Sequence, residues 1–360
     1  MIEQLLSIRS RLSGVGFQPA VFQSAVFQPA VFHSQAGSLC HHRKPTVISC
    51  AMVRRFILNF SMRWTRIALL TVLPVVLLIS SSSVAEEPKF RDVEYGRVGD
   101  ISLKLDFYEP NQRRPERPLI VWIHGGAWRS GSKSDVPVAK LREQGFAIAS
   151  VDYRLSPVAK FPAQIHDIKA AIRYLRANAS RFEVDANRFV LAGSSAGGHL
   201  AVLAAVSDGV PELSGELAAP ENTAANVQAV VSFFGAGNLQ TILSQSTPFG
   251  LDVRVPALEK FLGGLPDQQP NLARLASPVE HIDSRDPPLW LFHGDQDPQM
   301  PINQSHELDG AYKKIGLPVR FEVVHGGKHG GFGFFTETQL RRLGDELFGS
   351  LTTELSNGKR

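Results

Sequence analysis

A serine set between glycines, two aspartates and two histidines are the residues of this chain whose types and spacing suit nucleophilic chemistry. The serine lies in "FVLAGSSAGGHLAVLAAV", Phe189 to Val206, where a short apolar run gives way to a helix-like one. Gly193-x-Ser195-x-Gly197 in that context is the nucleophile-elbow pattern: a sharp strand-to-helix turn exposes the serine, and small neighbours let strand and helix pass closely. The spacing selects Ser195, with Ser194 as its variable neighbour. A plain Gly/Ser turn reads the same locally, so the pattern needs partners.

A serine hydroxyl is a poor nucleophile until a base takes its proton, and the base needs an acid to orient it. "LFHGDQDPQMP" offers Asp295 and Asp297, and "VVHGGKHGGFG" offers His325 and His329, each pair just after a strand-like run. Asp295 and His325 lie nearer their strands, where bracing the loop is the expected role. Asp297 and His329 sit further out, His329 between glycine pairs, and are the expected acid and base.

Attack on an acyl carbon builds a tetrahedral oxyanion that fixed backbone N–H groups stabilise; losing one such donor typically costs about 10²–10³ in rate. "VWIHGGAWRSGSK" places His124-Gly125-Gly126-Ala127-Trp128 after another apolar strand. Within the Gly125, Gly126, Ala127 stretch, Gly126 and Ala127 are the candidate donors, and Ala196 at the helix start is a third. His124 is expected to brace this loop.

The elements that must hold these loops alternate between strand-like and helix-like segments. Val93 to Tyr108 reads as two strands and "PLIVWIHGG" as a buried one. Then come "AKLREQG" as a helix, "FAIASVDYR" as a strand and Ile165 to Ala179 as a helix. The strand at Phe189 and the helix after Gly198 follow, with "VQAVVSFFG" and "PLWLFHG" as strands. "SHELDGAYKKIG" is a helix, "PVRFEVVHGG" a strand, and Phe335 to Phe348 a closing helix. Apolar strands separated by helices predict an α/β fold, a mostly parallel central sheet covered on both faces. Residues 236–286, with several Pro and Gly and no strong period, read as a small excursion over one edge.

The N-terminal part obeys other rules. "RWTR" (63–66), the apolar run Ile67–Ile79 and small residues at Ser83 and Ala85 match a secretory signal peptide over 62–85, cut after Ala85. A membrane anchor is the alternative, but the run is short of the roughly 20 residues a span needs and contains Pro74. Upstream, "FQPAVFQSAVFQPAVFHSQ" repeats a five-residue unit with no period that suits helix or strand. Residues 1–61 are therefore expected to be an untranslated or disordered extension, with translation starting at Met62 or Met52.

This division changes the charge argument. Residues 1–85 hold eight Lys/Arg and one acid, so the pI of 9.1 belongs mainly to the presequence. The remaining 275 residues carry 30 basic and 33 acidic side chains, a net of −3, which excludes a broad basic footprint for nucleic acid. Cys40 and Cys50 also lie upstream, excluding a disulfide, a thiol nucleophile or a cysteine metal site from residues 86–360. These form one large domain, exported and with no stable membrane association once the signal is removed.

Together the motifs resemble the α/β-hydrolase superfamily, in the bacterial esterase branch related to hormone-sensitive lipase and acetylxylan/feruloyl esterases. The resemblance runs from about Val93 to Phe348 and includes "SVDYRLSPVAKFPAQIHDIKAAIRYLRAN", "FLGG", "ASPVEHI" and "HGDQDP". It implies a triad of Ser195, Asp297 and His329. The hormone-sensitive-lipase branch usually reads HGGG where this chain has "HGGA", and it carries an N-terminal cap. Only about 30 residues precede the HGG strand after Glu86, so the capless polysaccharide esterases match better and an open site is expected. "HGGAW" also resembles arylformamidases.

Other residues have structural expectations. Asp152, Tyr153 and Arg154 suit a buried ion pair, and His199 faces the helix start or core. His166, His281, His293 and His306 lack HxH or HExxH spacing, so no metal site is expected. Trp128, Phe332 and Phe334 line a pocket or simply pack.

The reading that follows is an exported serine carboxylic-ester hydrolase for short-acyl esters, with acetylated or feruloylated polysaccharide as the candidate natural substrate and with no cofactor. The alternatives are an arylformamidase-type amide hydrolase and a non-catalytic hydrolase-fold binding protein.

Overall fold

A computed structural model describes residues 87–112, 114, 117–217, 223–331 and 333–356. The signal segment 62–85, the extension 1–61 and Phe332 lie outside the described residues.

Eight strands form one sheet in the order β1-β2-β4-β3-β5-β6-β7-β8. They are β1 (Phe90–Val98), β2 (Ile101–Tyr108), β3 (Leu119–Ile123), β4 (Ala147–Val151), β5 (Phe189–Ser194), β6 (Ala229–Phe233), β7 (Leu289–Gly294) and β8 (Val319–Val324). β1 and β2 pair antiparallel, β2 joins β4 antiparallel, and all later pairs are parallel. Every residue of β3 through β7 is buried, which is why these strands read as unbroken apolar runs rather than alternating ones. The expected α/β-hydrolase architecture is the one observed.

Five longer helices cover the sheet: α1 (Ala163–Ala177), α2 (Ala196–Val206), α3 (Pro248–Leu262), α4 (Asn303–Lys314) and α5 (Glu337–Ser356). One apolar cluster joins α1 to α4 to one face of the sheet. A second joins α5 and the segment 139–144 to the other face, through Leu340, Leu343, Leu347 and Leu351 at helical spacing. α2 is buried all round, consistent with its Ala- and Leu-rich sequence.

Some local expectations change. "AKLREQ" forms the expected helix as a 3₁₀-helix, closed by Gly145 in the left-handed region. The elbow helix begins at Ala196, inside the glycine run. The segment 236–286 does not lie over one edge. It contains α3, which starts at Thr247, whose hydroxyl accepts from Gly250 N–H at 3.0 Å, and ends at left-handed Gly263. Phe261 of α3 stacks on Trp128, with ring centroids 4.6 Å apart, so the segment packs over the central strand ends. It connects β6 to β7, neighbours within the sheet rather than edge strands.

The strand order reverses around β3, whose neighbours are β4 on one side and β5 on the other. Such a switch point opens a crevice at the carboxyl ends of the strands, the favoured ligand position in open α/β sheets. The loops that follow β3 and β5 meet there.

Candidate active site

Register places the elbow beside the HGGAW loop. Ile123 of β3 pairs with Gly193 of β5, so His124 onward and Ser194–Ser195 leave the sheet side by side. At Ser195 the backbone takes φ 53° and ψ −117°, a sparsely populated conformation that costs of order 1–3 kcal/mol. Ser195 N–H donates to Phe233 O at 2.8 Å, tying the strained turn to β6. The glycines are there for close approach: a Cβ on Gly197 would lie 2.0 Å from Ile123 O, and one on Gly193 2.5 Å from the Gly197 carbonyl group.

β7 and β8 bring in the remaining groups, because Gly294 pairs with Val324 and their following loops run together. His329 Nε2 is 2.8 Å from Ser195 Oγ, and His329 Nδ1 is 2.7 Å from Asp297 Oδ2. Asp297 Oδ1 accepts the N–H groups of Gln299 at 2.8 Å and Met300 at 2.9 Å. Burial would push this carboxyl up, but hydrogen bonds from His293, His329 and Met300 prevail and hold it well below the usual carboxylate range. Burial takes His329 the other way, below the ordinary histidine value, despite its bond to Asp297. Its imidazole is thus neutral at pH 7, with Nδ1–H fixed on Asp297 and Nε2 free to accept the Ser195 proton.

Asp295 and His325 form a separate pair at the surface. Their Oδ2 and Nδ1 atoms are 3.0 Å apart, and Asp295 Oδ1 accepts Gly326 N–H at 2.7 Å.

No hydrogen bond among the described residues uses the backbone N–H of Gly126, Ala127 or Ala196. Ala196 opens α2, where an N–H lacks an intrahelical acceptor. Gly126, Ala127 and Trp128 have φ of 105°, 52° and 58°, a left-handed run that is costly for the two non-glycine residues. Gly126 O turns back to accept Arg129 N–H and Ser130 N–H, both at 3.1 Å. Gly125 packs against the elbow; a Cβ there would meet Ser194 O at 3.0 Å.

The structural residues hold this loop from beneath. Trp128 is fully buried, and its Nε1–H donates to His199 Nδ1 at 3.1 Å. His199 Nε2 in turn lies 2.7 Å from Ala276 O. That fixes a neutral tautomer, with burial pushing the ring down to about 4. His124 stacks on Tyr153 at 4.5 Å, and Tyr153 donates its hydroxyl to His124 O at 3.1 Å. Arg154 does form a buried ion pair, but with Asp167 rather than Asp152, Nη2 to Oδ1 at 2.7 Å, while Asp152 Oδ1 accepts Lys133 N–H at 2.7 Å. Phe334 is buried against Phe234, so it and Trp128 are packing residues.

A cavity of about 610 Å³ opens beside Ser195 and His329. Its wall includes Gly125, Gly126 and Ala127, together with Arg129, Arg254 and Gln299, which sequence reasoning missed. Arg254 lies in the weakly patterned segment 236–286, where no motif or period marks it. Its own helical neighbours do not explain its burial; only the tertiary contact does. Among the described residues no group of three or more His, Cys, Asp or Glu is arranged to hold a metal ion.

The arrangement can deprotonate a serine, hold a developing oxyanion on fixed N–H groups and return the proton to a leaving group. Comparison with known proteins finds similarity to esterases. The BD-FAE family profile matches residues 105–312. Esterase LipC of Mycobacterium tuberculosis is 34% identical over 195 residues, covering 53% of this chain and 47% of its own length. The chain spans about half the length of the curated mycobacterial relatives it matches. Among solved structures, a truncated carbohydrate esterase from gut microbiota aligns with TM-score 0.66 and 32% identity, over 73% of this chain and 96% of that one. Propionate-bound esterase Est2 of Thermogutta terrifontis aligns with TM-score 0.55 and 27% identity, over 76% and 96%.

Proposed function

Since the chain belongs to the BD-FAE family, with an α/β-hydrolase fold, we propose that it is a serine carboxylic-ester hydrolase acting through Ser195, His329 and Asp297. The observation that carries this reading is the continuous hydrogen-bonded path from Ser195 Oγ through the His329 ring to the buried Asp297 carboxylate. Ser195 Oγ attacks the acyl carbon while His329 Nε2 takes its proton. The carbonyl oxygen becomes an oxyanion held by the N–H groups of Gly126 and Ala127, in the loop that runs on from Gly125, and of Ala196 at the start of α2. The intermediate collapses, the C–O bond to the alcohol breaks, and His329 returns the proton to the leaving oxygen. Water, deprotonated by His329, then attacks the acyl-serine and releases the acid. Asp297 keeps its proton-free form throughout and stabilises the imidazolium.

The substrate class we propose is short-acyl esters of bulky, soluble alcohols, with acetylated or feruloylated polysaccharide as the natural class. Support comes from the likeness to a carbohydrate esterase and from a cavity that opens on the surface beside Ser195. Export, inferred from the 62–85 segment, fits a polymer outside the cell. The test is kcat/KM on p-nitrophenyl acetate, butyrate and longer esters, on acetylated xylan, feruloyl esters and N-formylkynurenine, with Ser195→Ala and Ser194→Ala in parallel. The proposal expects activity greatest on short acyl groups, abolished by Ser195→Ala and substantially retained in Ser194→Ala. A preference for chains of ten or more carbons overturns the substrate class. Formamidase activity exceeding ester hydrolysis overturns the ester reading.

A further inference from the structure

One wall of the same cavity carries a guanidinium held through only one of its nitrogens. Arg254 is only 1% exposed, and its Nε donates to Gln299 O at 3.2 Å. Its Nη1 is buried without a partner, and neither terminal nitrogen hydrogen-bonds to a described residue. Asp297 is the acid within electrostatic range, but it forms no ion pair with Arg254. Its oxygens are already engaged by His329, Gln299 N–H and Met300 N–H.

Other arginines of this chain show what a purely structural one does. Arg173 spreads its terminal nitrogens over the carbonyls of Ser214, Gly215 and Leu217. Arg176 reaches those of Ala186, Ala224 and Asn226. Arg254 differs from both: an interior cation at a cavity wall, with its Nη1 buried and unpartnered. Leaving such a donor unmet is costly unless an anion arrives.

Arg129 lines the same cavity, and its side chain makes no hydrogen bond or ion pair with a described residue. The remaining charged lining residue besides His329 is Asp135, an exposed acid that forms no ion pair with either arginine. Two arginines with no ion-pair partner among the described residues thus line the space a substrate must enter.

We infer that Arg254, with Arg129 beside it, is a carboxylate subsite, so that the preferred substrate is an ester whose acyl or alcohol part bears a carboxylate near the scissile bond. The inference rests on the ester-hydrolase reading above. A carboxylate seated at this wall would lie against two guanidinium groups whose planar donors suit it, and would offset the buried Arg254 charge that no described ion pair neutralises. Arg254 here is a specificity residue, not a participant in the bond changes at Ser195.

The experiment uses two pairs of isosteric esters. p-Nitrophenyl hemisuccinate against p-nitrophenyl valerate places the charge on the acyl side. 4-Acetoxybenzoate against 4-acetoxybenzamide places it on the alcohol side. Rates in Ser195→Ala are subtracted, which removes the spontaneous hydrolysis of the hemisuccinate. In at least one arm the wild-type ratio of kcat/KM, charged over neutral, should be about tenfold or more. Arg254→Met should bring that ratio close to one, and Arg254→Lys should recover part of it. A wild-type ratio of one or less in both arms, or a ratio untouched by Arg254→Met, overturns the inference. Should Arg254→Met not fold, calorimetric titration of succinate and of benzoate into Ser195→Ala and into Ser195→Ala/Arg129→Gln decides. Binding of either acid that weakens with Arg129→Gln supports the subsite; no binding, or binding indifferent to Arg129, overturns it. This titration needs no turnover, whereas loss of the ester reading would show as absent p-nitrophenyl acetate hydrolysis in the wild type.

Discussion

Asp295 and Asp297 stand two residues apart on one loop, yet they bind different histidines in different surroundings. Asp297 is buried against His329, 2.7 Å from its Nδ1, whereas Asp295 meets the 88%-exposed His325 at 3.0 Å. Asp297→Asn should therefore lower kcat/KM for p-nitrophenyl acetate by about 10³–10⁴-fold, since an amide cannot hold the imidazole in the required tautomer. Asp295→Asn should cost no more than about a few-fold, as expected of an exposed pair. Steady-state kinetics on both variants checks this, and equal losses would refute the assignment.

The pH profile follows from the burial of His329. The base must be neutral to accept the Ser195 proton, and burial holds its ring below the ordinary histidine value. kcat/KM should thus rise with pH through an apparent pKa below about 6.5 and stay level through neutrality. An acid limb centred above pH 7 would contradict the environment described.

Trp128 offers a test of how the loop is held. Trp128→Phe keeps most of the ring stacking on Phe261 but removes the donor to buried His199 Nδ1. An unmet acceptor of this kind costs about 1–3 kcal/mol. Urea unfolding should show a loss of that size, accompanied by a lower kcat. Unchanged stability would mean that the bond contributes nothing.

Two glycines should respond oppositely to alanine. Gly197→Ala forces a Cβ to 2.0 Å from Ile123 O, backbone that cannot step aside. Destabilisation of about 1–3 kcal/mol or more is expected, together with loss of activity. Gly310 lies inside α4 with nothing within 4 Å of its would-be Cβ. There alanine should stabilise by about 0.5–1 kcal/mol. Denaturant midpoints of the two variants provide the comparison.

The proposed export and processing can be tested by expressing the full chain and sequencing the N-terminus of the protein recovered. If translation starts at Met62 and the signal is cut after Ala85, the first residues found by N-terminal sequencing will be "EEPKF". A mature N-terminus within residues 1–60 would sink that reading.

Much of this was legible along the chain because the information is local. Buried parallel strands demand continuous apolar runs, so β3 to β7 stood out as words in the sequence. The elbow demands small residues at fixed offsets, and those offsets singled out Ser195 before any partner was known. Chain order and distance from the preceding strand separated Asp297 and His329 from their neighbours. Non-local geometry left no such mark. Nothing in "AKLREQ" distinguishes a 3₁₀ from an α-helix. Nothing in the Pro- and Gly-broken segment 236–286 says that Phe261 will stack on Trp128 or that Arg254 will be buried at the cavity wall. By itself the sequence determined which residues are candidates for chemistry and which strands are interior, since both follow from residue type and period. Only the tertiary structure decided which side chains touch: strand order sets loops 134 residues apart side by side, bringing His329 to Ser195, and buries Arg254 at the cavity wall beside them with its Nη1 unpartnered.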